Sequence, residues 1–339
     1  MNVSTIGLDI AKNVFQVHGE DAEGRVAVQK RLGRKRMMEF FSKLPPCLVA
    51  LEACGTSHYW GRTLRAFGHD VRLIPAAYVK PFVKRNKTDA RDAAAICVAA
   101  RRPDMRPVAI KSEEQQASRA LERSRELLVK QRTQLMNSLR AMLAEFGVVA
   151  AQGLRGFAEL RERVADGQGL PETLVTALRL VLTQIDGLAP AIEALEGKIK
   201  AIAKADATMR RLCRIPGVGF LTAHAVVAAI GDGRQFQSGR DFAAWAGMTP
   251  REDSSAGKRR TKGVSRQGEG RLRKLFALGA TTLMRNARSR DDRATAWQRG
   301  ILARRPMKVA VLAQAAKTAR IVWAVLTSGE QYAPRSAAA

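Results

Sequence analysis

The sequence predicts an α/β N-terminal domain, then a helical spacer, then a mostly α C-terminal domain. Short apolar runs bounded by turn residues fill the N-terminal third. A long apolar seam with coiled-coil spacing follows. From about Met209 the chain becomes glycine-containing and strongly basic.

Val3 to Ile10 and Val14 to His18 read as strands, and Arg25 to Gln29 as a third after the turn Asp21-Ala22-Glu23-Gly24, giving an antiparallel meander. A helix from about Lys35 to Leu44 leads into the apolar strand Cys47 to Leu51. A helix near Trp60 to Phe67 and a strand Asp70 to Ile74 come next. Three hairpin-linked strands followed by alternating helices and strands is the order of the ribonuclease H-like α/β fold. In that fold, acids on the first strand, the fourth strand and the last helix converge on two metal ions.

Four carboxylates fit those places. Asp9 and Glu52 each end an apolar run, whereas Asp89 and Asp92 stand three apart on an expected helix and so project from one face. Taken singly each has an ordinary reading, since an Asp at a strand end commonly forms a turn or caps a helix. Asp89 and Asp92 also suit a first helical turn, where acids complement the dipole. Together, in a chain of net charge +27, they predict a hard divalent metal site facing phosphates.

Lys and Arg number 58 against 31 acids, an excess suited to a nucleic-acid backbone. No signal peptide and no uninterrupted apolar stretch of spanning length is read, which sets a membrane role aside. Cys47, Cys54, Cys97 and Cys213 lack zinc spacing and read as buried thiols of a reducing cytoplasm.

From Leu174 the positions Leu178, Val181, Ile185, Leu188, Ile192, Leu195, Ile199 and Ile202 advance by alternating fours and threes, the seam of a coiled coil. An upstream helix carrying Leu121, Leu128, Leu135 and Met142 is the expected partner, within the chain or across a dimer. Gly187 and Pro190 are expected to kink or split the second helix. Beyond it, Ile215-Pro216-Gly217-Val218-Gly219 looks like the hairpin of a helix-hairpin-helix unit. Positive φ at Gly217 and Gly219 would free amide groups to hold a phosphate. Between Arg251 and Lys274 nine Lys or Arg face three acids, which reads as a phosphate-facing loop. It contains Ser254 and Ser255, ordinary turn residues on their own evidence.

Asp9 in G-L-D-I-A-K, Glu52 in L-E-A and, above all, Asp89 and Asp92 in K-T-D-A-R-D-A resemble the resolvase-like domain of the DEDD insertion-sequence transposases. That family includes the Piv-type invertases and the bridge-RNA-guided serine recombinases. The G-L-D-I opening also resembles the phosphate loop of actin-like ATPases, but no strand pattern frames Gly231-Asp232-Gly233 as their second loop. In the C-terminal transposase domain of the DEDD family, a proline, a Ser-Gly or Ser-Ser-Gly-Gly motif, a Lys-Gly segment and an arginine-bearing helix recur in order. Pro250, Ser254-Ser255-Ala256-Gly257, Lys262-Gly263 and Arg271-Leu272-Arg273 match that order, with Ala256 where glycine is usual.

The resemblance implies a transposase or site-specific recombinase in which Asp9, Glu52, Asp89 and Asp92 hold Mg2+, as a two-metal site, and Ser255, the serine nearest the small residues, attacks DNA. Lys258, Arg259, Arg260, Lys262, Arg266, Arg271 and Arg273 would then contact nucleic acid, with Gly217 and Gly219 of the hairpin. It further implies donor and target DNA, a structured noncoding guide RNA, and a homo-oligomer, dimer or tetramer, joined through the coiled coil so that one protomer's acids meet another's serine. The expected place is the prokaryotic cytoplasm, at the nucleoid. The expected boundaries are a catalytic domain over 1–110, the spacer over 111–208, the transposase domain over 209–330 and a flexible tail over 331–339. A junction-resolving nuclease using water, or a noncatalytic nucleic-acid scaffold, are the rival readings.

Overall fold

The computed structural model describes residues 2–83, 86, 88–258, 260–287 and 293–333, and the chain divides into two compact units, Met1–Glu114 and Gln115–Ala339. In the first unit β1 (Thr5–Ile10), β2 (Val14–Glu20), β3 (Val26–Gly33), β4 (Leu48–Glu52) and β5 (Asp70–Ile74) form one sheet in the order β3-β2-β1-β4-β5. β2 runs antiparallel to β1 and β3, and β4 runs parallel to β1 and β5. β4 is apolar throughout its centre because both its faces are covered. Val49 and Leu51 pack with Met37 and Phe41 of α1 (Arg34–Lys43) and with Trp60 and Leu64 of α2 (Ser57–Ala66). On the other face, α3 (Ala76–Val79) and a 3-10 turn, Lys80–Phe82, lead to α4 (Asp89–Ala100), whose Ala95, Ile96 and Ala99 pack on Ala50 and Ile74.

β3 runs on to Gly33, beyond the expected Gln29, because it pairs along the whole of β2 as an edge strand. Only Val28 of it is buried, so its far half carries no apolar alternation to read. α2 starts at Ser57 instead of Trp60; there the Ser57 hydroxyl donates to the Cys54 carbonyl at 2.9 Å and accepts from the Cys54 N–H at 3.2 Å.

In the second unit, Leu139 and Leu143 of α5 (Glu113–Ala144), Phe157, Leu160 and Val164 of α6 (Leu154–Asp166) and Leu178 and Ile185 of α7 (Glu172–Ala205) share one core. Leu178, Ile185, Ile192 and Ile199, every seventh residue, form the buried stripe of α7, while Val181, Leu188, Leu195 and Ile202 are half-buried. α7 is not split at Gly187 or Pro190. Pro190 and Asp186, the residue whose carbonyl loses its helical donor, are both exposed.

α8 (Ala207–Cys213) and α9 (Phe220–Ile230) form the expected helix pair. With α10 (Gly239–Trp245), α11 (Gly270–Asn286), α12 (Arg293–Arg304) and α13 (Met307–Ser328) they build a core containing Leu212, Val226, Phe242, Phe276 and Val322. Gly217 takes φ of +80°, but Gly219 has φ of −93°, which corrects the expectation of positive φ at both. Gly219 is the N-cap of α9, a position that requires extended backbone. A β-carbon on Gly279 of α11 would lie 1.9 Å from the Gly217 carbonyl oxygen, so the hairpin backbone rests directly on α11. β6 (Pro250–Glu252) and β7 (Thr261–Val264) pair antiparallel where a loop was expected; two short, exposed strands leave no periodic signal.

By length and mean hydropathy α7 and α13 are long and apolar enough to cross a bilayer, but neither is an uninterrupted apolar stretch, since Gln314, Lys317 and Arg320 stand within α13. Thr183, Gln184 and Asp186 interrupt the apolar run of α7 without making it polar on average. Both helices contribute side chains to the cores described above.

Candidate active site

Side chains alternate along β1, so Asp9 faces the same side as Gly7. A β-carbon at Gly7 would lie 2.0 Å from the Ala93 carbonyl oxygen and 2.5 Å from the Cys97 nitrogen. Glycine therefore lets α4 lie against β1 and brings its first turn to Asp9. Thr88 caps that turn, its Oγ1 accepting from the Arg91 N–H at 3.4 Å. Lys87 of the same motif lies outside the described residues. One carboxylate oxygen each from Asp9, Asp89 and Asp92 lies within 4.8 Å of the other two.

Glu52 follows the Leu8–Leu51 pair in the parallel register of β1 and β4, which puts it beside Asp9, but its carboxylate is not in that close set. Its charge still acts on Asp9. Burial first, then the negative charges of Asp92, Asp89 and Glu52, push the Asp9 carboxyl up to about 6, with an Ile10 N–H hydrogen bond opposing them. Carboxylates that converge and repel one another are a donor set for a hard, oxygen-ligating divalent cation, whose charge would relieve the repulsion.

The serines lie in the second unit, at the tip of the β6–β7 hairpin. Ala256 and Gly257 have φ of +48° and +73°, and the Lys258 N–H donates to the Ser255 carbonyl at 2.9 Å, as in a two-residue turn of type I′. Glycine suits the first of these positions, and Ala256 strains it. The Ser254 hydroxyl donates to Glu252 Oε1 at 3.0 Å and accepts from the Arg260 N–H at 3.1 Å. The Ser255 hydroxyl is exposed and makes no hydrogen bond among the described residues.

Lys258, Arg260 and Arg266 are exposed, Lys262 pairs with Asp253, and Arg259 lies outside the described residues. Arg271 and Arg273 are engaged within the protein. Arg271 forks between Glu122 Oε2 at 2.9 Å and Glu126 Oε2 at 2.6 Å, while Arg273 donates to the carbonyls of Ala246 and Gln267, both at 3.2 Å. A phosphate reaching Arg271 competes with two carboxylates.

Two features of the structure were not read from the motifs. Gly7 stands inside G-L-D-I, and its role appears only with the small α4 residues Ala93 and Cys97 opposite it. Glu122, next to the seam residue Leu121, is 7% exposed and accepts from His224 Nδ1 at 2.6 Å and from Arg271. An acid beside an apolar seam was the available hint.

Residues 6–147 match the family model described as a DEDD transposase of the IS110 type, and residues 209–295 match the model described as the transposase IS116/IS110/IS902 family. A "probable family 20 transposase" of Pseudomonas aeruginosa is 45% identical over 98% of this chain and 100% of its own length. The transposase for insertion sequence element IS1328 of Yersinia enterocolitica is 38% identical over 97% of this chain and 98% of its own. That for IS1111A of Coxiella burnetii is 38% identical over 98% and 92%.

Proposed function

From the premise that the chain belongs to the IS116/IS110/IS902 family of insertion-sequence transposases, which cut and rejoin DNA, we propose that it does so as a metal-dependent serine recombinase. The convergence of Asp9, Asp89 and Asp92 carries this reading. The sheet order, with acids on β1, β4 and α4, supports a ribonuclease H-like catalytic domain. Asp9, Asp89 and Asp92, with Glu52 beside them, would hold magnesium, as two ions. Bound there, the metal supplies positive charge for the oxygens of the scissile phosphate.

Ser255 Oγ attacks phosphorus, forming an Oγ–P ester and breaking a P–O bond to deoxyribose; the departing oxygen takes up a proton. Attack on that ester by the hydroxyl of an exchanged strand reverses the step and conserves bond energy for rejoining. The Ser255 hydroxyl, without a hydrogen bond among the described residues, against the doubly bonded one of Ser254, supports Ser255 as nucleophile. Lys258, Arg260, Lys262 and Arg266 hold the backbone by charge.

A structured noncoding RNA chooses the target by base pairing in this reading, which rests on the family resemblance and the net charge of +27. The enzyme acts in the cytoplasm as a homo-oligomer, and the exposed leucines Leu127 of α5 and Leu180 of α7 support assembly through the long helices. Strand cleavage in magnesium tests the metal site. Asp9→Asn and Asp92→Asn should bind DNA as the wild type does and cut none, and cutting at the wild-type rate by either would overturn the assignment.

A further inference from the structure

We propose that the cleft between the end of α7, α8 and the start of α9 holds a phosphodiester segment of nucleic acid, a contact separate from the β6–β7 hairpin. The cleft has a volume of about 540 Å³, and its lining brings together Lys204, Arg210, Arg211 and Arg214 with no acid among the described residues. An isolated inorganic anion fills little of that space, whereas a nucleotide unit suits it. Phe220, at the first turn of α9, gives the wall an apolar face for sugar or base.

Helix ends account for part of this charge. Arg210 Nη1 donates to the Lys204 and Ala205 carbonyls at 2.8 and 2.9 Å and so closes the C-terminus of α7. They do not account for Arg211. Its Nη2 donates to Thr208 Oγ1 at 3.1 Å, yet its Nε is buried without a hydrogen-bond partner among the described residues. A guanidinium with spare donor capacity among the described residues is free to turn toward an acceptor in the cleft. Arg214, the C-cap residue of α8, is exposed beside it and adds a second cation. Phosphate oxygens match such donors in charge and in geometry.

Cys213, which with Cys54 is exposed where a buried thiol was expected, lines the same cleft, so the rate at which its thiol is alkylated reports whether the cleft is occupied. The full chain is treated with N-ethylmaleimide, alone or saturated with duplex DNA or with a hairpin RNA, and modification of Cys213 is followed by mass spectrometry. Either nucleic acid should slow the modification severalfold, and comparing the two arms shows which is held. Arg211→Gln with Arg214→Gln should remove that protection. The same variant should flatten the plot of log affinity against log salt by about 0.9 per arginine lost, an effect that a packing defect does not produce. Arg214→Gln alone, at an exposed position, should lower the slope by one such step even where the double variant folds poorly. Cys213 reacting at its free rate under both nucleic acids, or a wild-type slope in Arg214→Gln, would overturn the proposal. Neither result depends on the serine chemistry, because a chain that forms no covalent adduct still binds.

Discussion

The carbonyl oxygen of Ala93 lies 2.0 Å from where a β-carbon on Gly7 would stand, so β1 and α4 meet backbone to backbone. That contact joins fold to chemistry, since Asp9 is two residues along β1 and Asp92 one residue back along α4.

Gly7→Ala should therefore damage both. Overpacking against an unyielding backbone costs about 1–3 kcal/mol, read as a lower urea midpoint for the first unit. Magnesium affinity measured by calorimetry should fall with it, because α4 must withdraw Asp89 and Asp92 from Asp9. A wild-type midpoint with wild-type affinity would show that the close approach is dispensable.

The raised Asp9 carboxyl sets a pH dependence. Its folded-state value of about 6 lies above the usual 3.8, so the folded protein binds the proton more tightly than the unfolded chain. Metal-free stability should be highest below the unfolded value and decline as pH rises through about 6. Asp9→Asn should lack this component of the slope in thermal unfolding. Added magnesium should raise the melting temperature more at neutral pH than at pH 5, since metal and proton compete for the carboxylate. Parallel profiles for the wild type and Asp9→Asn would contradict the assignment.

At the hairpin tip, Ala256→Gly should relax the turn. The left-handed region costs an L-residue about 1–2 kcal/mol, and the greater chain entropy of glycine offsets about 0.5–1 kcal/mol of it. Amide exchange at Lys258, whose N–H closes the turn, should slow. Faster exchange would mean that Ala256 carries no strain.

The long-helix seam separates folding from assembly. Ile192 is 4% exposed and Leu180 is 67% exposed. Ile192→Ala should cost about 2–5 kcal/mol of stability. Leu180→Asp should leave the melting temperature nearly unchanged and yield a smaller particle by light scattering. An unchanged particle size would remove Leu180 from the assembly surface.

Asp9 and Glu52 were legible because each ends an apolar run, and the order of β1, β2, β4 and β5 could be read because their buried residues stand out against turn residues. The far half of β3 and the pair β6–β7 were not, because exposed polar strands leave no alternation. The seam of α7 pointed to the upstream helix, and Leu139 and Leu143 of α5 do share a core with Leu178 and Ile185, but α6, whose Phe157, Leu160 and Val164 complete that core, was not read. Glu122, His224 and Arg271 meet across separations of 102 and 149 residues, beyond the reach of any local pattern. Convergence of Asp9 with Asp89 and Asp92 depends on the absence of a side chain at Gly7, which only the packed structure reveals.

Covalent trapping on DNA tests the central claim most directly. Stopped reactions of the wild type and of Ser254→Ala should contain protein joined to DNA through a phosphoserine at residue 255, identified by mass spectrometry. Ser255→Ala should bind DNA and form no adduct. An adduct retained in Ser255→Ala, or cutting and rejoining at the wild-type rate by the double alanine variant, would contradict the account and favour metal-activated water.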